Sequence, residues 1–247
     1  MLKTGDIMQG ATCLGRGLRI IRHPDVRLYV IMPLLINIIL FGGLIWLGYT
    51  QFSPMVELLM SYIPGFLDFL RWIIWLFITV LTAIIVFFTF TPIANIVAAP
   101  FNALLSEKIE IMLTGKAISS NISFLVMIKN SLLSQLGKLF YIALWSLGLL
   151  LISLIPLVNF AAPFLWVLFG SWLLSLEYLD YPMGNHDLSF SKQKQLLSGR
   201  KGLALGFGGS VMVLTSIPLI NFIVMPVAVA GATLLYVEQL ESNSLES

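Results

Sequence analysis

The stretch WIIWLFITVLTAIIVFFTFTPIANIVAAPFNALLS, residues 72–106, contains no charged side chain and no histidine. A charge-free stretch of about 18 residues or more indicates a membrane-embedded helix, because about 20 residues rising 1.5 Å each cross roughly 30 Å of hydrocarbon. Three further runs of this kind occupy residues 28–56, 139–176 and 203–237. The sequence therefore predicts a protein embedded in a lipid bilayer.

The continuity of these runs predicts their secondary structure. Hydrocarbon offers no hydrogen-bonding partner to the backbone, so continuous apolar segments form helices, whereas barrel strands alternate apolar and polar residues. The composition agrees, since 58% of the residues are hydrophobic and the mean hydropathy is +0.95. We expect an all-α integral membrane protein with one membrane domain over residues 1–247.

The basic residues predict the orientation. If the first two runs each cross the bilayer once, 13 of the 14 Lys and Arg residues lie on one side, and Arg71 alone lies on the other. The positive-inside rule makes the larger group cytoplasmic. We expect two long transmembrane helices, at 26–49 and 72–99, joined by an outer segment, 49–71.

Two other segments are assigned from their polarity. Residues 101–138 have apolar side chains at helical spacing between charged ones, which predicts amphipathic helices on the inner surface. Residues 239–247 are polar and acidic, which predicts a C-terminal tail without fixed structure.

Prolines divide the third and fourth runs into short arms. The expected arms contain about 17 and 14 residues in the third run and about 15 and 11 in the fourth, and the shorter arms are roughly 17–21 Å long as helix. Such arms are too short to cross a bilayer. We therefore predict re-entrant helical hairpins over 139–177 and 203–238, broken at Pro156, Pro163, Pro218 and Pro226.

The hairpin tips form an internal repeat. The motif I-P-L-[VI]-N-F contains Pro156 and Asn159 in the third run and Pro218 and Asn221 in the fourth, and a fainter copy surrounds Asn95. Broken helices at equivalent positions of repeats are typical of transport pathways, because helix ends can coordinate an ion at membrane depth. The alternative is that Pro and Asn simply make tight turns.

Arginines gather before the first run, in and just after the basic juxtamembrane segment 1–25. The arginine fork matches a tetrahedral oxyanion in two hydrogen bonds, and Gly15 and Gly17 would let backbone amides approach such a ligand. The alternative is a basic patch that contacts anionic lipid headgroups. The candidate side chains are Arg16, Arg19, Arg22 and Arg27.

Other classes of site have little support. The single cysteine, Cys13, excludes an intramolecular disulfide or a cysteine-based metal site. Asn185-His186-Asp187 is the one cluster that resembles a catalytic dyad or ligand pair, but a single His beside one Asp in a loop is more typical of a turn and helix cap. The net charge of +2 is too small to indicate nucleic-acid binding. We expect no enzyme activity, no cofactor and no metal.

Four blocks of the sequence resemble one known family. They are RHPDVRLYVIMPLLIN (22–37), IANIVAAPFNALLSEKIEIMLTG (93–115), YLDYPMGNHDLSF (178–190) and IPLINFIVMPVAVAGATLLY (217–236). Together they look like the CysZ family of bacterial sulfate permeases. The resemblance implies a multi-pass protein of the bacterial inner membrane that takes up sulfate with high affinity for cysteine biosynthesis. It also implies a sulfate-binding Gly-Leu-Arg motif, which matches Gly17, Leu18 and Arg19.

The absence of titratable groups from the four charge-free runs bears on the mechanism. No carboxylate or histidine lies within the four runs, so a channel-like or facilitated pathway is expected rather than proton coupling. One chain is expected to supply only two full spans and two short hairpins, which are too few helices to line a sealed pore. This favours a homo-oligomer. Sulfite is a second candidate substrate. A membrane-shaping hairpin protein without transport, and an enzyme acting on lipid headgroups, are the alternatives.

Overall fold

A computed structural model describes residues 4–62, 71–117 and 124–241 of the chain. In these ranges all regular structure is helical and no strand occurs, so the prediction of an all-α protein is confirmed. The α-helices are α1 (Thr4–Ile20), α2 (Pro24–Ser61), α3 (Arg71–Thr114), α4 (Phe124–Ser153), α5 (Ala162–Asn185), α6 (Phe190–Gly199), α7 (Lys201–Thr215) and α8 (Pro218–Gln239).

The chain forms two compact units, one of Ile31–Phe101 and one of Met1–Val30 with Asn102–Ser247. In the smaller unit, α2 and α3 present large apolar side chains outward; Trp46 is 68% exposed. The Phe41 and Phe90 rings contact each other with centroids 5.0 Å apart. The prediction of one membrane domain is not tested by this division.

Two helices of the smaller unit are longer than expected. Helix α2 continues past residue 49 to Ser61, and α3 runs for 44 residues through Pro92 and Pro100 to Thr114. Residue 95 lies inside this continuous helix, so the fainter copy of the tip motif around Asn95 does not form a turn between two helices. A proline removes one backbone hydrogen bond, but a helix in a nonpolar medium has no better arrangement for its other polar groups, so it continues.

The first predicted hairpin is present, but both of its arms are longer than expected. Helix α4 has 30 residues and α5 has 24, about 36 Å for the latter. Helix α5 continues beyond residue 176 because its carboxylates are paired: the Lys138 amine of α4 lies 2.6 Å from Glu177 and 3.3 Å from Asp180. The argument that the second arm is too short to cross is wrong, and whether the hairpin is re-entrant stays a prediction.

The second predicted hairpin consists of α7 and α8. Helix α7 has 15 residues, as expected, and α8 begins at Pro218. Helix α8 does not end at Pro226 but continues to Gln239, because Pro226 lies in a packed segment where Val224, Val227 and Ala228 are at most 4% exposed. The expected break at Pro226 is wrong.

The core of the larger unit is built on α1, which packs against α7 and α8. Glycines allow the backbones to approach closely: a Cβ on Gly10 would lie 2.2 Å from the Leu203 carbonyl oxygen, and one on Gly206 would lie 2.1 Å from that of Ile7. Small residues at helix crossings are typical of membrane bundles. The basic segment 1–25 is therefore mostly a helix with one buried face, which contains Gly10, Cys13, Leu14 and Gly17, while its arginines stay exposed.

Four helical segments in the described part of the chain are long and apolar enough to cross a membrane. They are Pro24–Gly48, Trp72–Phe90, Leu133–Ser153 and Asn159–Asn185. At most 28% of the most apolar window of each is buried inside the protein, so the apolar side chains face outward, as in a bilayer. The molecule is an all-α membrane protein.

Candidate anion site at the N-terminal arginines

The candidate arginines lie on both sides of the corner between α1 and α2. Arg19 lies in the last turn of α1, and residues 21–23 form a tight turn in which the Arg22 amide donates to the Arg19 carbonyl at 3.3 Å. Helix α2 begins at Pro24, so Arg27 lies in its first turns. The corner therefore places three arginines next to the positive end of a 38-residue helix.

Arg16 is engaged elsewhere. Its guanidinium donates two hydrogen bonds to the Glu238 carboxylate at the end of α8, at 2.6 and 2.5 Å. Because the carboxylate accepts both bonds, the pKa of Arg16 is raised above its ordinary value. Arg16 thus fastens α1 to α8, and a bound anion would compete with Glu238 for it.

The other three arginines are open to a ligand. Arg19, Arg22 and Arg27 are exposed, and none forms an ion pair with any side chain that the structure describes. The nearby Asp25 lies 3.5 Å from His23 and is itself exposed. These arginines therefore keep the donors that a doubly charged anion requires.

Gly17 has a packing role. A Cβ at this position would lie 2.5 Å from the Val227 carbonyl oxygen and 2.7 Å from the Gly231 amide nitrogen of α8. The residue sits inside α1, and its carbonyl accepts from the Ile21 amide at 3.1 Å. This packing explains a glycine here without a ligand, so direct contact of Gly17 and Leu18 with an anion stays a prediction.

The hairpin tips contain the other predicted pathway residues. The turn after α4 includes Pro156 and Asn159, and its apolar side chains are exposed: Leu157 by 87% and Phe160 by 74%. A turn in water is ordinarily polar, so this composition fits lipid or an apolar partner. Pro218 begins α8, Asn221 lies in the first turn of α8, and no described hydrogen bond joins a tip to the arginines.

The sequence reading missed a buried polar stripe on the C-terminal part of α3. The Asn102 side-chain amide donates to the Tyr181 hydroxyl at 3.3 Å, the Ser106 hydroxyl lies 2.8 Å from that of Thr233, and a Glu110 carboxylate oxygen lies 2.6 Å from His186 Nε2. These three α3 residues are at most 3% exposed. Their spacing of four residues places them on one helix face. That spacing is visible in the sequence, but an apolar face was expected to be the buried one.

His186, the partner of Glu110, lies in the turn that follows α5. As predicted, Asn185-His186-Asp187 forms a turn and cap: the His186 amide donates to the Met183 carbonyl at 3.2 Å, and Asp187 has φ 57°. The Glu110 carboxylate hydrogen-bonds the imidazole and raises the pKa of His186. Within the described residues, no group of three His, Cys, Asp or Glu side chains is placed to hold a metal ion.

Helices long and apolar enough to span a bilayer, an apolar hairpin tip and an arginine-rich corner define an α-helical membrane protein with a candidate anion site. The profile of the family described as "Sulfate transporter CysZ/Etoposide-induced protein 2.4" matches residues 13–226. The chain belongs to this family, and the match includes both the corner and the stripe.

Relatives with high identity span the whole chain. A protein of Pseudomonas fluorescens strain Pf0-1 named "Sulfate transporter CysZ" is 40% identical over 242 residues, which cover 97% of each chain. A protein of the same name from Pseudomonas paraeruginosa strain PA7 is 42% identical and covers 96% of this chain and 98% of its own. One from Vibrio atlanticus is 38% identical over 94% of this chain and 93% of its own.

Proposed function

We propose that this protein carries sulfate across the bacterial inner membrane and supplies it for cysteine biosynthesis. The observation that carries the proposal is the near-complete coverage of relatives named as sulfate transporters, at 40% identity and above in the two Pseudomonas proteins. Identity of this extent over whole chains, rather than over one domain, supports a shared substrate.

The proposed sulfate contacts are Arg19, Arg22 and Arg27, with Gly17 and Leu18 holding Arg19 in place. The support is chemical: these arginines are exposed and make no ion pair among the described side chains. Sulfate offers four oxygens in a tetrahedron, and each guanidinium can donate two parallel hydrogen bonds to it. The amino end of α2 adds a favourable dipole.

The proposed mechanism is channel-like or facilitated. Moving a doubly charged anion inward against 100 mV costs roughly 4.6 kcal/mol, twice the value for one charge. A sulfate gradient or rapid consumption of sulfate inside the cell would supply this energy. Sulfate uptake into proteoliposomes should therefore stay constant when an inward proton gradient is imposed at fixed voltage, and an increase would establish proton coupling instead.

The arginine site is tested by equilibrium binding of radiolabelled sulfate to the purified protein. Arg19→Ala should weaken binding roughly 10- to 100-fold, the range of one or two lost charge-assisted hydrogen bonds. Lys192→Ala is the matched control, because Lys192 is an exposed cation on α6 and is not one of the proposed sulfate contacts. Equal affinity in the wild type and Arg19→Ala would refute the site.

The alternative is a membrane-shaping hairpin protein without transport, which the exposed apolar tip favours. The two functions differ in a direct measurement. A transporter gives sulfate flux in proteoliposomes that Arg19→Ala reduces. A shaping protein gives no flux in either form but changes vesicle curvature, and that change should disappear with Leu157→Asn at the tip.

A further inference from the structure

A groove of about 520 Å³ lies on the larger unit, between α4, α5, α6 and α7. Tyr141, Trp145 and Leu149 follow one another along one face of α4, about 6 Å apart. Phe169 and Trp172 of α5 form the facing wall. Most of the lining is aromatic or aliphatic, so the groove does not suit a small doubly charged ion.

Two lysines line the same groove. Lys194 of α6 lies over the Tyr141 ring, with its amine 5.2 Å from the ring centroid, and Lys201 is the first residue of α7. Neither forms an ion pair with a described side chain, whereas Arg200 between them lies 3.4 Å from Asp6. The groove thus has positive charge that no described carboxylate neutralises, with Lys194 at the Tyr141 end.

The Tyr141 end has a further polar donor. The indole N–H of Trp172 is buried and has the Tyr141 side chain as its hydrogen-bonding neighbour. Tryptophan and tyrosine with an apolar body and a polar tip are typical of the depth where headgroups meet acyl chains. Tyr141 and Trp172 therefore place the boundary between acyl chain and headgroup at this end of the groove.

The groove extends to membrane depth. Leu149 lies in Leu133–Ser153 and Leu168 lies in Asn159–Asn185, two of the segments long and apolar enough to cross a bilayer. The lysine end belongs to α6 and α7, in the basic region that the positive-inside rule makes cytoplasmic. An apolar groove that ends in lysines suits a molecule with a hydrocarbon tail and an anionic head.

We propose that this groove binds an anionic phospholipid, with an acyl chain against Trp145, Leu149 and Phe169 and the phosphate at Lys194 and Lys201. Basic pockets between membrane helices on the cytoplasmic side recognise such headgroups. The site is separate from the arginine corner and does not depend on sulfate transport.

The test is native mass spectrometry of the full-length protein in detergent, with phosphatidylglycerol and phosphatidylcholine of identical acyl chains in equal amounts. The wild type should retain phosphatidylglycerol preferentially. Lys194→Gln with Lys201→Gln should lower its affinity roughly 25-fold, about fivefold for each lysine. Leu168→Trp, which fills the apolar part, should reduce retention of both lipids.

The matched control is Lys108→Gln with Lys192→Gln, which removes the same charge from residues outside the groove and should leave lipid retention unchanged. Equal retention of the two lipids by the wild type would overturn the proposal. So would displacement of phosphatidylglycerol by excess inorganic sulfate, or a dimer mass with no lipid attached, since a second copy would then occupy the groove.

Discussion

At the scale of single residues, Gly17 couples the N-terminal arginines to the core. An added methyl group would meet the α8 backbone at 2.5 Å, and backbone cannot move aside as a side-chain end can. Gly17→Ala should therefore lower the free energy of unfolding by about 1–3 kcal/mol, the usual cost of overpacking. Thermal unfolding of the purified protein in detergent measures this.

Gly15, two residues away on the same helix, provides the control. A Cβ there meets nothing within 4 Å, so Gly15→Ala should be neutral or stabilise α1 by about 0.5–1 kcal/mol. If both substitutions have the same effect, the close approach of α1 and α8 is not what Gly17 provides.

The pair of His186 and Glu110 predicts a dependence of stability on pH. The pKa of His186 is raised in the folded protein, so its protonation stabilises the fold fully below about 6.5, the ordinary value, and less as pH rises through the raised value. Lys116, Asp187, Glu241 and the Tyr236 ring also surround it. The wild type should lose thermal stability as pH rises above about 6.5.

His186→Gln keeps a donor for Glu110 but does not titrate, so its stability should change less over the same pH range. His23→Gln removes the only other histidine, which is exposed, and should keep the wild-type profile. A wild-type profile in His186→Gln would assign the pH dependence to other groups.

Contacts between residues that are far apart in the sequence could not be predicted from the sequence. The arginines before the first run could be recognised as a group, but the sequence did not indicate that Arg16 alone pairs with Glu238, 222 positions later. A contact of that separation depends on how α1 packs against α8, and no local pattern encodes it. The spacing of four residues between Asn102, Ser106 and Glu110 is visible in the sequence. Their burial is not, because it depends on Thr233 and His186 from outside α3.

At the scale of helices, charge-free runs predicted where helices lie better than where they end. The run that stops before Glu177 underestimates α5, because Lys138 neutralises Glu177 and Asp180 from another helix. Prolines likewise predict more helix breaks than occur. Pro156 lies in a turn, as expected, whereas Pro226 lies within α8. Packing around each proline, rather than the proline itself, decided the outcome.

The first hairpin tip gives a test of membrane depth. If the hairpin is re-entrant, Leu157→Cys should resist a membrane-impermeant maleimide added outside intact cells, although residue 157 is 87% exposed on the protein. The native Cys13 is 3% exposed and should give no background.

Tyr62→Cys, in the segment expected outside, should be labelled from the same side, since Tyr62 is 77% exposed. Labelling of Leu157→Cys at the Tyr62→Cys rate would mean that α4 and α5 cross the bilayer completely, as their lengths allow.

At the scale of the whole molecule, the outward apolar surface bears on assembly. The described part of the chain has four segments that can cross a bilayer, which are few for a sealed anion pathway, so we expect a homo-oligomer. Native mass measurement in lipid nanodiscs should give a multiple of 27.5 kDa. A single 27.5 kDa species across a wide range of protein-to-lipid ratios would require the pathway to lie within one protomer.

The position of α1 also affects the order in which the protein is made. Helix α1 leaves the ribosome first, yet its packing partners are α7 and α8, which contain residues 201–239. At roughly 5–20 residues per second, α1 waits on the order of 10–50 s for them. The buried packing of α1 is therefore completed late in biosynthesis, so an unfinished chain would hold α1 without the helices that cover it.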